Sequence, residues 1–302
     1  MIKFFDSLFK KKHDGRVTSF PDDQKTLPIP SQRIEDESEI KVGCYPPQFM
    51  VGTGQSVGQL RDHNEDTLFS FSSVISDNGI PQAVGLFIVA DGMGGHSHGE
   101  IASAAATRAA VDYLFRNLFS AVILTNSYSQ EKSLQELLET AVQTAHLAVV
   151  RQAPGGGTTL TMALVIKDQA VLAHVGDSRA YLVEVDGKVT PLTVDHSLVR
   201  RLVDLGQLTE EQSRVFPQKN VLYRALGQVE PLNPDLTSVS IPDQGVLLLC
   251  SDGLWGVVEE KEIVKMILDN ADPVICCQKL VEAANAAGGP DNISAVLVRY
   301  VH

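Results

Sequence analysis

The stretch Val84-Gly-Leu-Phe-Ile-Val-Ala-Asp91-Gly92-Met-Gly-Gly95 carries an apolar run straight into a carboxylate and a glycine-rich turn. A short apolar run that ends in glycines predicts a buried β-strand. Glycine lets the backbone approach a ligand closely, because it has no side chain to intervene. The segment therefore predicts a strand whose end presents Asp91 to a ligand.

The same construction recurs at three other places in the chain. Asp252 follows the apolar residues 246–250, Asp177 follows the residues 170–175, and Asp291 stands just before the apolar residues 293–301. One Asp-Gly after a strand is usually only a turn. Four such acids in one place would repel one another unless cations neutralised them, so together they predict a site for hard divalent metal ions.

Glu65 and Asp66 add two further carboxylates, just before the apolar residues 67–71. Oxygen ligands favour Mg²⁺ or Mn²⁺ over zinc, and the sequence has no Cys/His grouping at zinc spacing. Two hard cations about 4 Å apart can activate a shared water and clamp a phosphoryl group. The acids therefore favour phosphoester hydrolysis.

Arg61 is placed to give a phosphate dianion a bidentate donor. The alternative is a surface salt bridge to Asp62 or Glu65. His96 and His98 lie in the glycine-rich loop and could also coordinate metal. Exposed histidines with no part in the site are the favoured interpretation of that pair.

Composition and charge exclude several classes of protein. The 302 residues are 44% hydrophobic, which is enough for a substantial core. Acids outnumber Lys and Arg by 37 to 25, and a net charge of -12 disfavours non-specific binding to nucleic acid. The chain has no phosphate-binding G-x-x-x-x-G-K-[ST] loop.

Cysteine usage and hydropathy predict a cytoplasmic protein. Cys44, Cys250, Cys276 and Cys277 form no C-x-x-C pair and are expected to be reduced packing residues. No apolar run reaches the length of a membrane-spanning helix, and the N-terminus lacks the features of a signal peptide.

Hydrophobic periodicity predicts an α+β fold rich in antiparallel strands. Strands are predicted at residues 84–90, 159–166, 170–175, 180–185, 246–250 and 293–301. Helices are predicted at about 100–119, 130–151, 259–268 and 273–287. These helices are long enough to cover sheet faces, so we expect a layered arrangement of sheets and helices.

Residues 1–48 differ from the rest and are predicted to be an N-terminal extension and linker, followed by one domain over residues 49–302. In a helix over residues 2–9, Phe5, Leu8 and Phe9 would share a face, followed at once by three lysines. Residues 2–12 could therefore make a weak membrane or partner contact. A frayed, flexible terminus is the favoured interpretation.

Eight segments occur in the order known from one family. They are Arg61-Asp-His-Asn-Glu-Asp66, Val89-Ala-Asp-Gly-Met-Gly-Gly-His96 with Gly99-Glu-Ile-Ala-Ser103, Gly157-Thr-Thr-Leu160, His174-Val-Gly-Asp-Ser-Arg-Ala-Tyr181, Asp195-His-Ser197, Arg224-Ala-Leu-Gly227, Cys250-Ser-Asp-Gly-Leu-Trp255 and Gly289-Pro-Asp-Asn-Ile293. From about residue 52 onward the chain resembles the bacterial metal-dependent protein Ser/Thr phosphatases of type 2C, the PPM family. The resemblance implies a four-layer α-β-β-α sandwich, with two central antiparallel sheets flanked by helix pairs.

The resemblance also implies a role for each acid. Asp91 would bridge two catalytic Mn²⁺ or Mg²⁺ ions, and Asp252 and Asp291 would complete the first site. The second ion would be bound by the carbonyl of Gly92, and by Glu65 and Asp66 directly or through water. Asp177 and Asp252 would hold a third, weaker ion, and Arg61 would bind the phosphate of the substrate.

Two positions depart from the family pattern. Eukaryotic relatives carry a histidine in the Asp-Gly-His-Gly-Gly turn, where this chain has Met93, whose thioether cannot protonate a leaving group. The flap segment, residues 197–224, usually ends in His-Pro, and here Phe216-Pro217 stands instead. Residues 157–160 and 195–197 are assigned to structure, and Trp255 is expected to anchor the Asp252 loop.

The resemblance implies hydrolysis of phosphoserine and phosphothreonine in proteins, as a step in signal transduction. The substrates would be products of a Ser/Thr kinase, and the protein would act as a cytoplasmic bacterial monomer without nucleic acid. One alternative is a catalytically weak scaffold that binds phosphoproteins with the same fold. Another is a phosphatase for a different phosphoester, such as a regulatory phosphoprotein of the anti-anti-sigma type or a small phosphometabolite.

Overall fold

The computed structural model describes residues 48–77, 80–94, 97–119, 133–228 and 232–301. The predicted extension lies outside the described residues apart from Gln48, which begins the first strand. Cys44 and His96 also lie outside them. Residues 44–302 belong to one compact unit.

Two five-stranded antiparallel sheets form the centre of the fold. The strands are β1 Gln48–Ser56, β2 Thr67–Asp77, β3 Ile80–Ala90, β4 Gly92–Met93, β5 Gly157–Thr158, β6 Leu160–Ile166, β7 Gln169–Val175, β8 Arg179–Val183, β9 Val189–Pro191, β10 Asp235–Ser240, β11 Val246–Cys250 and β12 Ile293–Val301. The first sheet has the order β1-β12-β11-β8-β9, and the second has the order β10-β7-β6-β3-β2. Strands β4 and β5 form a separate short pair.

The helices of the described residues are α1 Ser97–Leu114, which continues into a π-helical turn at Phe115–Phe119, α2 Leu134–Gln152, α3 Leu198–Asp204, α4 Glu210–Arg214, α5 Asp252–Trp255, α6 Glu260–Asp269 and α7 Pro273–Ala286. Helices α1 and α2 cover the outer face of the second sheet, and α5, α6 and α7 cover that of the first. Helix α2 begins later than predicted, because Ser133 and Glu136 form a capping box at its N-terminus.

Three apolar layers hold the four-layer sandwich together, and strand β3 shows how its sequence builds two of them. Leu86 and Ile88 pack against α1 and α2, whereas Phe87 and Val89 face the other sheet. This alternation follows from the two-residue period of a strand. A third layer lies between the first sheet and helices α5, α6 and α7. The predicted α-β-β-α sandwich is therefore confirmed.

The predicted strands and long helices are found to within a few residues, and the remaining differences fall on the sheet edges. The four edge strands β1, β2, β9 and β10 were not predicted. Strands β1 and β10 alternate polar and apolar residues only weakly. Among the described residues no helix is long and apolar enough to cross a membrane. Cys250, Cys276 and Cys277 are buried free thiols, as predicted.

Candidate active site

Both sheets deliver acids to one cleft, which has a volume of about 200 Å³. Its lining includes six of the seven predicted metal ligands together with the predicted phosphate ligand; these residues are Arg61, Glu65, Asp91, Gly92, Asp177, Asp252 and Asp291. Asp91 follows a strand of the second sheet, Asp252 and Asp291 flank strands of the first, and Asp177 lies in the turn between β7 and β8, which joins the two sheets. The cleft therefore lies across the junction of the sheets.

The backbone of Asp91 is fixed by the neighbouring pair Thr158 and Thr159. The Asp91 amide donates to Thr159 Oγ1 at 2.9 Å, and its carbonyl accepts from the Thr159 amide at 2.9 Å and from Thr158 Oγ1 at 2.9 Å. The side chain of Asp91 is left to face the cleft. The assignment of residues 157–160 to structure is consistent with these contacts.

Asp66 lies behind the cleft and is the one predicted ligand that does not line it. Its Oδ2 accepts from Ser251 Oγ at 2.8 Å, and that same Ser251 Oγ accepts from the Ser294 amide at 2.9 Å. Ser251 immediately precedes Asp252, so one serine links two of the acids to strand β12.

Arg61 pairs with Asp291, not with Asp62 or Glu65. Its Nη2 lies 2.8 Å from Asp291 Oδ2, and the arginine side chain is 48% exposed. The hydrogen bond to Asp291 raises the pKa of Arg61. The guanidinium therefore stands at the rim of the cleft with donors still available to a ligand.

The turn that carries Asp177 is tied to helix α5. Trp255 Nε1 donates to the Asp177 carbonyl at 3.0 Å, and the guanidinium of Arg179 stacks 3.5 Å from the centre of the Trp255 ring. Arg179 is in turn held by both carboxylate oxygens of Asp195, at 2.9 and 2.7 Å. Trp255 thus holds the Asp177 turn, in addition to its predicted role at the Asp252 loop.

The backbone around Gly92 and Gly99 packs so closely that neither position has room for a side chain. A Cβ at Gly92 would lie 2.2 Å from the Gly99 carbonyl oxygen, and one at Gly99 would lie 2.7 Å from the Glu65 carboxylate. Glu65 is buried and its carboxylate abuts the first turn of α1. A helix N-terminus stabilises a carboxylate there. The two glycines therefore let Glu65 and the backbone at Gly92 approach the same cleft.

The acids raise one another's pKa values. Burial, with the charges of Asp66 and Asp252, raises the pKa of Asp91 well above its ordinary range. Burial and the charge of Asp291 raise the pKa of Asp252 to about 6, and burial chiefly raises that of Asp66 to about 7. The pKa of Asp177 is also raised, by burial and by Asp252. Such a cluster calls for neutralising cations.

Two buried oxygens are consistent with a metal site. Asp66 Oδ1 and Asp252 Oδ1 are buried without a hydrogen-bond partner. In the described ranges no three carboxylate, imidazole or thiol groups stand close enough to enclose an ion as positioned here. The donor set is oxygen-only and suits Mn²⁺ or Mg²⁺, but its side chains would have to move inward to coordinate them.

The remaining predicted residues have other contacts. Exposed His98 does not line the cleft. Asp195 and His196 point to different partners, since His196 Nδ1 accepts from the Gly176 amide at 3.0 Å. Met93 lines the cleft, whereas Phe216 does not.

Sequence reasoning missed two cleft residues of the flap segment. Asn220 and Leu222 line the cleft, although both lie in a stretch without a recognised chemical motif. Their position four and six residues after Phe216 gives no signal of its own.

Comparisons with known proteins identify relatives of this chain. The family model described as protein phosphatase 2C matches residues 50–293. The serine/threonine phosphatase stp of Listeria innocua is 35% identical over 247 residues, which cover 80% of this chain and 92% of that protein.

Two solved structures share the fold over most of their length. The serine/threonine phosphatase PstP/Ppp of Mycobacterium tuberculosis superposes with a TM-score of 0.68 and 31% identity, covering 84% of this chain and 99% of that one. A catalytic domain of PstP in complex with two manganese ions superposes with a TM-score of 0.67 and 30% identity, with the same coverage.

Proposed function

We propose residue roles for the acidic cleft of this chain, which belongs to the protein phosphatase 2C family. The protein is a serine/threonine phosphatase with Mn²⁺ or Mg²⁺ as cofactor. The reaction takes place at the acidic cleft between the two sheets. Its substrates are phosphoserine and phosphothreonine in proteins phosphorylated by a Ser/Thr kinase. The convergence of acids from four separate strand ends carries this proposal.

The acids divide into those that bind ions directly and those that support them. Asp91 would contribute to holding two ions, with Asp252 and Asp291 for the first and the Gly92 carbonyl for the second. Glu65 and Asp66 would help to hold the second ion directly or through water, and Asp177 with Asp252 would hold a third, weaker ion. When bound, such ions would activate a water for attack on phosphorus and neutralise the phosphoryl oxygens.

Arg61 is assigned to bind the phosphate. Its bond to Asp291 leaves other guanidinium donors free to reach phosphoryl oxygens. Met93 lies at the cleft but offers no proton, so the leaving alkoxide must take its proton from another group. Asp91, Asp252, Asp291 and Arg61 are therefore the residues that we assign to catalysis.

The scaffold alternative has no support among these residues, since every acid of the site is present. A different phosphoester as substrate stays open, because the cleft recognises a phosphate without defining what carries it. The cytoplasmic location and the monomeric state stay predictions.

Hydrolysis of p-nitrophenyl phosphate and of a phosphothreonine peptide tests the proposal, with Mn²⁺, Mg²⁺, Ca²⁺ or EDTA present. We expect turnover that needs Mn²⁺ or Mg²⁺ and falls by orders of magnitude in Asp252→Ala and Asp91→Ala. Asp186→Asn is the matched control, because Asp186 is an exposed turn residue. Full metal-dependent turnover in Asp252→Ala would show that the site is wrongly assigned.

A further inference from the structure

The side chain of Asn292 forms hydrogen bonds with both ends of the loop that carries Arg61. We propose that Asn292 is a positioning residue that fixes the Arg61 loop, residues 57–65, for phosphate binding. This inference rests on the proposed role of Arg61 as the phosphate ligand.

The carboxamide of Asn292 contacts this loop at three points. Its Nδ2 donates to the Val57 carbonyl at 2.8 Å and to the His63 carbonyl at 2.9 Å. Its Oδ1 accepts from the Glu65 amide at 2.8 Å. Asn292 is only 4% exposed, so all three bonds are shielded from water. One buried amide therefore ties both ends of the loop to the segment before β12.

The middle of the Arg61 loop has no buried apolar side chain. Residues 59–63 are exposed, and Leu60, the one large apolar side chain among them, is 75% exposed. The Gln59 and Leu60 amides donate to the Gly289 carbonyl at 2.7 and 3.3 Å, which fixes the loop on the N-terminal side of Arg61. With no apolar anchor, the position of the Arg61 backbone depends on hydrogen bonds.

The metal ligands near the loop have anchors of their own. The Glu65 carbonyl accepts from Ser103 Oγ, and Asp291 Oδ1 accepts from the backbone amide of Asn292 at 2.9 Å. Neither of these two bonds involves the Asn292 carboxamide, whose contact with Glu65 is to its backbone amide. Removing that carboxamide would break its bonds to the Val57 and His63 carbonyls and to the Glu65 amide, and would displace Arg61 more than the acids.

The test is a double-mutant cycle between Asn292→Ala and Arg61→Ala. The readouts are the dissociation constant of inorganic phosphate for the Mn²⁺-loaded protein, by titration calorimetry, and KM and kcat for p-nitrophenyl phosphate. We expect Asn292→Ala to weaken phosphate binding and raise KM by about tenfold, with a smaller change in kcat. In the Arg61→Ala background it should change phosphate binding by less than about twofold, because the two residues act as one unit.

The Mn²⁺ affinity of the free protein, measured by electron paramagnetic resonance, should change by less than about threefold. The matched control is Asn285→Ala. The Asn285 amide also bridges this region, but it contacts Ser56 and Gln59 at the start of the loop. We expect it to leave phosphate affinity unchanged.

An equal loss of phosphate affinity in both backgrounds, or an equal loss in Asn285→Ala, would overturn the inference. If Asn292→Ala does not fold, the cycle is repeated with Asn292→Ser, whose small side chain leaves room for a bridging water. That variant must show the same non-additive loss. Turnover by the wild type tests the proposed function separately, since calorimetry reports phosphate binding whether or not hydrolysis occurs.

Discussion

Replacing Asp252 with asparagine should stabilise the metal-free protein at neutral pH. Burial and the neighbouring Asp291 hold the pKa of Asp252 at about 6, against an ordinary value of 3.8. The ionised carboxylate therefore destabilises the folded protein when no cation neutralises it. Asparagine keeps the shape of the side chain and removes the charge.

The sign and size of the effect follow from proton linkage. A carboxyl with a raised pKa binds its proton more tightly in the folded than in the unfolded protein, so it favours folding most below about pH 4. Stability then falls between about pH 4 and pH 6 and levels off above. At about 1.36 kcal/mol per pH unit, ionised Asp252 costs about 3 kcal/mol. Asp66, whose pKa is about 7, extends the pH range over which stability falls to about pH 7.

Thermal unfolding in EDTA at pH 4.5 and pH 7.5 measures this effect. About 3 kcal/mol corresponds to a rise in Tm of about 6 to 12 °C for Asp252→Asn at pH 7.5, and the rise at pH 4.5 should be about a third as large. Asp186→Asn removes an exposed carboxylate and should leave Tm unchanged at both pH values. Saturating Mn²⁺ should stabilise the wild type by about 2.7 kcal/mol at one hundred times its Kd, and Asp252→Asn by less.

A lower Tm for Asp252→Asn than for the wild type in EDTA at pH 7.5 would refute this reasoning. It would mean that the carboxylate stabilises the folded chain through contacts that outweigh repulsion. An unchanged response to Mn²⁺ would separately remove Asp252 from the metal site.

Three further predictions concern the Asp177 turn, the contact between Gly99 and Glu65, and the N-terminal extension. Trp255 is the single tryptophan of the chain, and its Nε1 donates to the Asp177 carbonyl, so titration with Mn²⁺ should change its fluorescence. Asp177→Asn should abolish the part of that change with the weakest Mn²⁺ affinity, because Asp177 is assigned to the third, weaker ion. Gly99→Ala should lower Mn²⁺-dependent turnover, because the added methyl group would push the Glu65 carboxylate aside. Tm should stay within a few degrees, because alanine stabilises a helix by up to about 1 kcal/mol more than glycine does. Unchanged turnover would contradict the role of Glu65. Deleting residues 1–47 leaves β1 intact and should leave hydrolysis of p-nitrophenyl phosphate nearly unchanged, whereas a large loss would show that the extension supports the catalytic domain.

The sequence predicted the strands that are buried on both faces. Strands such as β6 and β11 are continuous apolar runs, because helices cover one face and the other sheet covers the opposite face. Strand β1 pairs with β12 along its whole length, yet its exposed positions mix apolar Met50 with polar Thr53 and Gln55, so its sequence shows no clear alternation. Edge strands were therefore the part of the fold that periodicity could not identify.

For the site, the sequence predicted the acids but not the network that orients them. Acids at the ends of apolar runs give a local signal, which is why Asp91 and Asp252 could be found. The bonds of Asn292 to Val57 and His63 join residues more than two hundred positions apart, and no local pattern predicts such a pairing. The contribution of Asn220 and Leu222 likewise depends on where the flap segment folds.

The position of the acids at the junction of the sheets changes how core substitutions should be interpreted. Val89 and Leu249 lie fully buried between the sheets, two and three residues before Asp91 and Asp252. A change of volume at either position alters the spacing between the sheets, and with it the separation of two acids that we assign to the same ion. Homologues that differ at these two positions should differ in their preference between Mn²⁺ and the smaller Mg²⁺, even with identical acids.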